Sequence, residues 1–95
     1  MNKYEVIFIV DSLLSEEAIK STVEKFKALI EDHGEVESIE EWGNRRLAYP
    51  IRYKNDGYYV LVNFSAPPEF PQEFERVMKI TDSILKYLIV RKDGD

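Results

Sequence analysis

Apolar and polar residues alternate at the start of the chain. Tyr4, Val6, Phe8 and Val10 interleave with Lys3, Glu5, Ile7 and Ile9, the period-two signature of a strand whose successive side chains face opposite ways. Residues 3–10 are expected to form a first, central strand with a well-populated inner face and a mixed outer one. Beyond Asp11 the period lengthens to that of a helix, because Ile19, Val23, Phe26, Leu29 and Ile30 fall on one stripe. Ser15 is placed to cap this helix, and Glu16 and Glu17 put negative charge in its first turn, where the helix dipole favours it. His33-Gly34 closes it, with Gly34 expected in a left-handed conformation.

From residue 35 onward, Val36, Ile39, Trp42, Leu47, Tyr49 and Ile51 predict one long strand or two collinear pieces, with a bulge or bend at Trp42-Gly43-Asn44. Pro50 cannot donate a ladder hydrogen bond, so this strand belongs at an edge. Asn55-Asp56-Gly57 is expected to make a hairpin turn into residues 58–64, with Tyr58, Val60, Val62 and Phe64 inward. Pro67-Pro68 ends that strand. Pro71 suits the first turn of a second helix carrying Phe74, Val77 and Met78, and residues 84–91 form a last strand. Strand, helix, strand, strand, helix, strand predicts an α+β, split βαβ architecture: a four-stranded antiparallel sheet with both helices on one face. The first and third strands would be central and the others edges. The uncovered face would show Ile7, Ile9, Tyr59 and Leu61, an apolar group that asks for a partner.

Length and charge narrow the functional classes. A chain of 95 residues suits one domain over 1–95, given the usual allowance of roughly 100 to 200 residues each. Its 13 basic and 18 acidic side chains leave a net charge of −5, which argues against tight solitary binding to nucleic acid. Cys is absent, which removes disulfides, thiolate nucleophiles and Cys-ligated zinc and fits a cytosolic protein. No apolar stretch approaches the ~20 residues that cross a bilayer, so no membrane association is expected. Only Asp93-Gly94-Asp95 are expected to lie outside the folded part.

Catalytic material is thin. Glu35, Glu37, Glu40 and Glu41 lie on a strand where neighbours face opposite ways, with no paired histidine, and are read as a solvated acidic strand that discourages edge pairing. His33, the only histidine, reads as a polar residue near a helix end. Small phosphatases of this layout bind phosphate in the loop after the first strand. Here that loop, residues 11–15, has neither Gly nor Arg and opens with an acid. RNA-recognition modules stack bases on central-strand aromatics, but here Asp56 stands where a basic residue is expected and parity turns Tyr58 and Val60 inward. No enzyme activity, cofactor, metal or small-molecule substrate is therefore expected.

What remains is an uneven distribution of charge. Residues 1–34 carry 4 basic and 7 acidic side chains, whereas residues 45–54 carry Arg45, Arg46, Arg52 and Lys54 and no acid. Arg offers phosphate a bidentate geometry that Lys lacks. Adjacent Arg residues on a strand face opposite ways, so a bend at Gly43-Asn44 or a marginal position would be needed to aim both at one ligand. Lys3, Arg91 and Lys92, at the ends of neighbouring strands, are expected to add to this field. Trp42, near the bend, is open to three roles, core residue, partner contact or stacking platform, of which packing is favoured.

Several segments resemble, as a set, a known family: Tyr4-Glu5, Arg45-Arg46-Leu47-Ala48-Tyr49-Pro50-Ile51, Gly57-Tyr58-Tyr59 and Leu88-Ile89-Val90-Arg91. Together they closely resemble the bacterial small-subunit ribosomal protein S-six family, from Met1 to about Lys92, the Arg-Arg-Leu-Ala-Tyr-Pro-Ile block being the specific part. The resemblance implies a ferredoxin-like, non-enzymatic cytoplasmic component of the small ribosomal subunit. It also implies binding to the central domain of small-subunit (16S) ribosomal RNA as a heterodimer with ribosomal protein S-eighteen. On that reading Arg45 and Arg46 lead the RNA contacts, with Lys3, Arg91 and Lys92 behind them, and the local basic cluster adds Arg52 and Lys54 as expected RNA contacts. The apolar face meets the partner, and a basic partner would offset the chain's acidity. Some family members continue in a charged tail past the last strand whereas this chain stops at Asp95, which leaves a tail-mediated contact in question here. The rival reading is a homo-oligomeric regulatory or small-molecule-binding module that pairs its open faces.

Overall fold

The computed structural model describes residues 1–92; the expectation for Asp93-Gly94-Asp95 lies outside the described residues. The elements follow the expected order: β1 (Asn2–Val10), α1 (Glu16–His33), β2 (Glu35–Ile51), β3 (Lys54–Ala66), α2 (Phe70–Lys79) and β4 (Ile84–Arg91). The sheet order is β2-β3-β1-β4, every pair antiparallel, with β1 and β3 central. Alternation in β1 does what periodicity requires, because Tyr4, Val6, Phe8 and Val10 are all buried beneath the helices. Val60, Val62 and Phe64 of β3 join them, and α1 contributes Val23, Phe26 and Ile30 while α2 contributes Phe70, Phe74 and Met78. Ser15 caps α1, its Oγ accepting the Ala18 N–H at 3.1 Å.

Two turn assignments are corrected. Gly34 is extended (φ −164°) rather than left-handed, and its reason is space: a Cβ there would overlap the Ser65 carbonyl oxygen. The β2–β3 hairpin turns at Arg52-Tyr53, not at Asn55-Asp56-Gly57, since Ile51 pairs with Lys54. Arg52 and Tyr53 hold positive φ (50° and 65°), as the two central residues of a primed turn must. That conformation costs a non-glycine residue about 1 kcal/mol or more, and it is held by the Arg52 side chain, which donates to the Asp82 carbonyl at 3.0 Å and the Ile84 carbonyl at 3.3 Å. Gly57 sits inside β3, where a Cβ would run into the Ile9 side chain.

β2 shifts register against β3 in three places, the first between Val36 and Ser38, and the other two shape the open face. Its register shifts between Glu41 and Gly43, where Gly43 takes φ +82°, the bulge expected from that glycine. It shifts again between Arg46, opposite Asp56, and Ile51, opposite Lys54, so five steps on β2 answer two on β3. Residues 47–50 therefore arch out of the ladder, which is how Pro50 is accommodated on this edge strand. The arch drops Leu47 onto Ile9 and Leu85, making a second small apolar cluster on the sheet face away from the helices, flanked by Ile51 and Tyr59. Lys86 Nζ latches it, donating to the Tyr49 hydroxyl at 2.6 Å.

Candidate nucleic-acid interface

The open face is smaller at one end and larger at the other than strand parity implies. Ile9, expected to be displayed, is only 6% exposed because Leu47 and Leu85 cover it. Ile7, Tyr59 and Leu61 stay half-buried on that face. Ile7 lies between Leu61 and Leu88 in the ladder, and Glu5 between Asn63 and Val90. Leu88 (61% exposed) and Val90 (42%) thus complete an apolar strip with Ile7 and Leu61. Sequence reading left these two unassigned, although Lys86, Leu88 and Val90 alternate with Tyr87, Ile89 and Arg91; the antiparallel register supplies the missing parity.

The seven expected basic residues do not form one patch. Lys3 lies opposite Ser65, and Lys92 N–H bonds to the Lys3 carbonyl, whereas Arg45 lies opposite Gly57. Eight steps of β3 separate those two ends, or about 26 Å at about 3.3 Å per residue. Fields are largely screened beyond ~8 Å at physiological salt, so Lys3, Arg91 and Lys92 do not reinforce the cations at the hairpin end. They are also engaged locally: Lys3 approaches Glu37 at 3.8 Å, Lys92 donates to Asn63 Oδ1 at 2.9 Å, and Arg91 donates to Asn2 Oδ1 at 3.4 Å.

At the hairpin end, the four cations divide by role. Lys54 pairs with Asp11 at 3.3 Å, partly buried, and Arg52 braces the turn against the loop before β4. Both hold the hairpin to the body of the sheet. Arg45 and Arg46 are exposed and make no ion pair among the described residues. They occupy consecutive ladder positions, opposite Gly57 and Asp56 respectively, and so project to opposite sides at the rim of the sheet. We expect Arg52→Ala to cost about 1 to 2 kcal/mol of stability, because two charge-assisted bonds and the support of a strained turn go together. Arg46→Ala should cost less than about 0.5 kcal/mol. Equal losses in urea denaturation would contradict this division.

Trp42 is not in the core. It lies on the open face at the bulge, 38% exposed, its ring nearly parallel to Tyr59 (13°, centroids 6.3 Å apart), with the Arg45 guanidinium 5.3 Å from its centroid. Neither the arrangement of these three groups nor the arch beside them follows from local periodicity, since both depend on where the bulge falls. The acidic residues behave as expected of a solvated strand: Glu35, Glu37, Glu40 and Glu41 are all exposed. Glu41 accepts the Tyr58 hydroxyl at 2.8 Å, and burial, then this bond and its charge, push the Tyr58 phenol above its usual range. His33 contacts the Leu29 carbonyl at 3.0 Å and stacks on Phe70, an ordinary helix-end role.

Comparison with known proteins locates these features in a family. The family model described as Ribosomal protein S6 matches residues 3–91. The "Small ribosomal subunit protein bS6" of Clostridium novyi is 50% identical over 94 residues, covering 98% of this chain and 99% of that protein. The protein of the same description from Alkaliphilus oremlandii is 47% identical over 91 residues, 96% of this chain and 97% of that one. Among solved structures, the 30S ribosomal protein S6 of Thermotoga maritima superposes with a TM-score of 0.91 at 30% identity, over 96% of this chain and 87% of that chain. The expected βαββαβ architecture is thus shared with a structure of the same description.

Proposed function

The chain belongs to the ribosomal protein S6 family, and on that premise we propose that it binds the central domain of small-subunit (16S) ribosomal RNA as a heterodimer with ribosomal protein S-eighteen. As a small-subunit ribosomal protein it acts by placement, not by chemical turnover. The observation that carries the proposal is the pairing of two features on one sheet. Arg45 and Arg46 present guanidinium groups without ion-pair partners among the described residues. The uncovered apolar strip of Ile7, Leu61, Leu88 and Val90 runs across the open face of the same sheet towards the opposite edge.

Each feature answers a limit of the other. A net charge of −5 opposes solitary association with a polyanion, and a basic protein seated on the strip would offset that repulsion. The strip in turn gains a cover that removes its apolar area from water. RNA contact is assigned to Arg45 and Arg46, with Lys3, Arg91 and Lys92 forming a separate, weaker site at the far end of the sheet. Arg52 and Lys54 act on RNA only through the hairpin they hold. Ile9 supports the face from beneath Leu47, and Tyr59 lies on it against Trp42.

Arg45→Ala with Arg46→Ala should weaken binding to a central-domain RNA fragment, measured with the partner present, by roughly tenfold to a hundredfold. The magnitude of the slope of log K against log salt should fall by about 1.4 to 1.8, as expected for two lost phosphate contacts. Thermal stability should stay within about 0.5 kcal/mol, because exposed arginines carry little folding energy. An unchanged salt slope, or a loss of stability that matches the loss of binding, would count against these residues as RNA contacts.

A further inference from the structure

We propose that Trp42 is the seat for one unpaired RNA base, capped in the free protein by Arg45. This rests on the RNA-binding reading above and adds a site to it. The ring lies over Tyr59 at only 13° from parallel, so the two aromatics present an offset, flat platform on the open face. The guanidinium of Arg45, 5.3 Å from the Trp42 centroid, is a planar cation, and a planar base can replace it on an aromatic face. An indole on solvent is a costly surface, and at 38% exposure Trp42 is not using its area for the core.

Position favours RNA over the protein partner as the occupant. The most exposed part of the apolar strip, Leu88 and Val90, lies on the β4 edge, and only Leu61 of the strip lies on β3, whereas Trp42 belongs to β2, at the other edge of the β2-β3-β1-β4 sheet. Three inter-strand steps, about 14 Å at about 4.8 Å each, separate the two rims. Arg45 and Arg46 lie three and four residues along the same strand from Trp42, so a phosphate held by either would carry its neighbouring base to this rim. On binding, the base takes the ring face and Arg45 moves from the indole to a phosphate. The platform reads stacking surface, so it accepts any base that is out of a helix.

Trp42 is the only tryptophan in the chain, so its emission reports on this site alone. The test titrates the protein with fluorescently labelled central-domain RNA in the presence of the proposed basic partner. Labelled-RNA anisotropy gives the bound fraction, and tryptophan emission of complexes formed with a tryptophan-free form of the partner gives the site. The expected result is quenching of Trp42 emission that saturates together with anisotropy. Trp42→Ala should weaken RNA binding roughly tenfold to a hundredfold, and Trp42→Phe should recover most of it. Binding of RNA without a change in emission, with Trp42→Ala of normal affinity, would overturn the stacking site and leave the RNA-binding reading intact. Quenching by the partner alone, with no further change on adding RNA, would assign Trp42 to the protein interface instead. Absence of RNA binding under every condition would overturn both.

Discussion

Phe64→Ala should be the most damaging single substitution in the sheet, lowering stability by about 3 to 5 kcal/mol. Phe64 is fully buried near the C-terminal end of β3, opposite Tyr4 of β1 and Val36 of β2 and packed under α2. Its ring contacts Tyr4 (centroids 5.6 Å), Phe70 (5.9 Å, edge-on at 89°) and Phe74 (5.9 Å). Truncation leaves a void lined by three rings from two elements, Tyr4 of β1 and Phe70 and Phe74 of α2, neither of which can collapse into it without dragging its backbone along. Folded domains typically hold only about 5 to 15 kcal/mol, and a short chain sits low in that range. The variant should therefore be largely or wholly unfolded at physiological temperature. Urea denaturation followed by circular dichroism checks this, and a loss below about 1 kcal/mol would contradict the assignment of Phe64 to the centre of the core.

Leu88→Glu should have the opposite profile. Leu88 is 61% exposed on the open face, so folding stability should change by less than about 0.5 kcal/mol. Association with the partner should fall more than about a hundredfold, because a carboxylate trapped unpaired in an apolar interface costs several kcal/mol. RNA recruitment that depends on the partner should fall with it. Isothermal titration of the two purified proteins reads the effect directly. Unchanged affinity would place the partner elsewhere on the molecule and leave the strip of Ile7, Leu61, Leu88 and Val90 without its proposed cover.

The parts of the fold that were legible in the sequence are those set by short-range periodicity. Tyr4, Val6, Phe8 and Val10 announce the inner face of β1, and Ile19, Val23, Phe26 and Ile30 announce that of α1, because each pattern repeats at the spacing of its element. Parity says which face a side chain takes, but not whether something else lies on that face. Ile9 shows the gap: its orientation is as expected, yet Leu47 covers it by way of an arch whose register shift has no local signature. Asn55-Asp56-Gly57 shows another. It is a strong local turn signal, overridden because Arg52 can brace the tighter turn from across the molecule and because Gly57 is needed where Ile9 comes close.

The candidate site was legible as a set of residue types and not as an arrangement. Arg45 and Arg46 stand out by charge alone. That Arg52 and Lys54 are engaged in holding the hairpin depends on partners 30 residues away for one and on Asp11 for the other. Likewise Lys3, Arg91 and Lys92 gather at one end of the sheet because antiparallel pairing puts the start of β1 beside the end of β4. The same pairing carries the hairpin to the other end. Sequence proximity to a charged cluster is a poor guide here, since topology decides which cations share a Debye length.

The central claim is that this acidic chain reaches RNA together with a basic protein and by way of its own basic rim. The most direct test titrates a central-domain ribosomal RNA fragment with this protein alone, with S-eighteen alone and with both, at several salt concentrations. Tight binding is predicted only for the pair, weakening steeply as salt rises. Equally tight binding by this protein alone, or binding by S-eighteen that this protein does not strengthen, would contradict the claim.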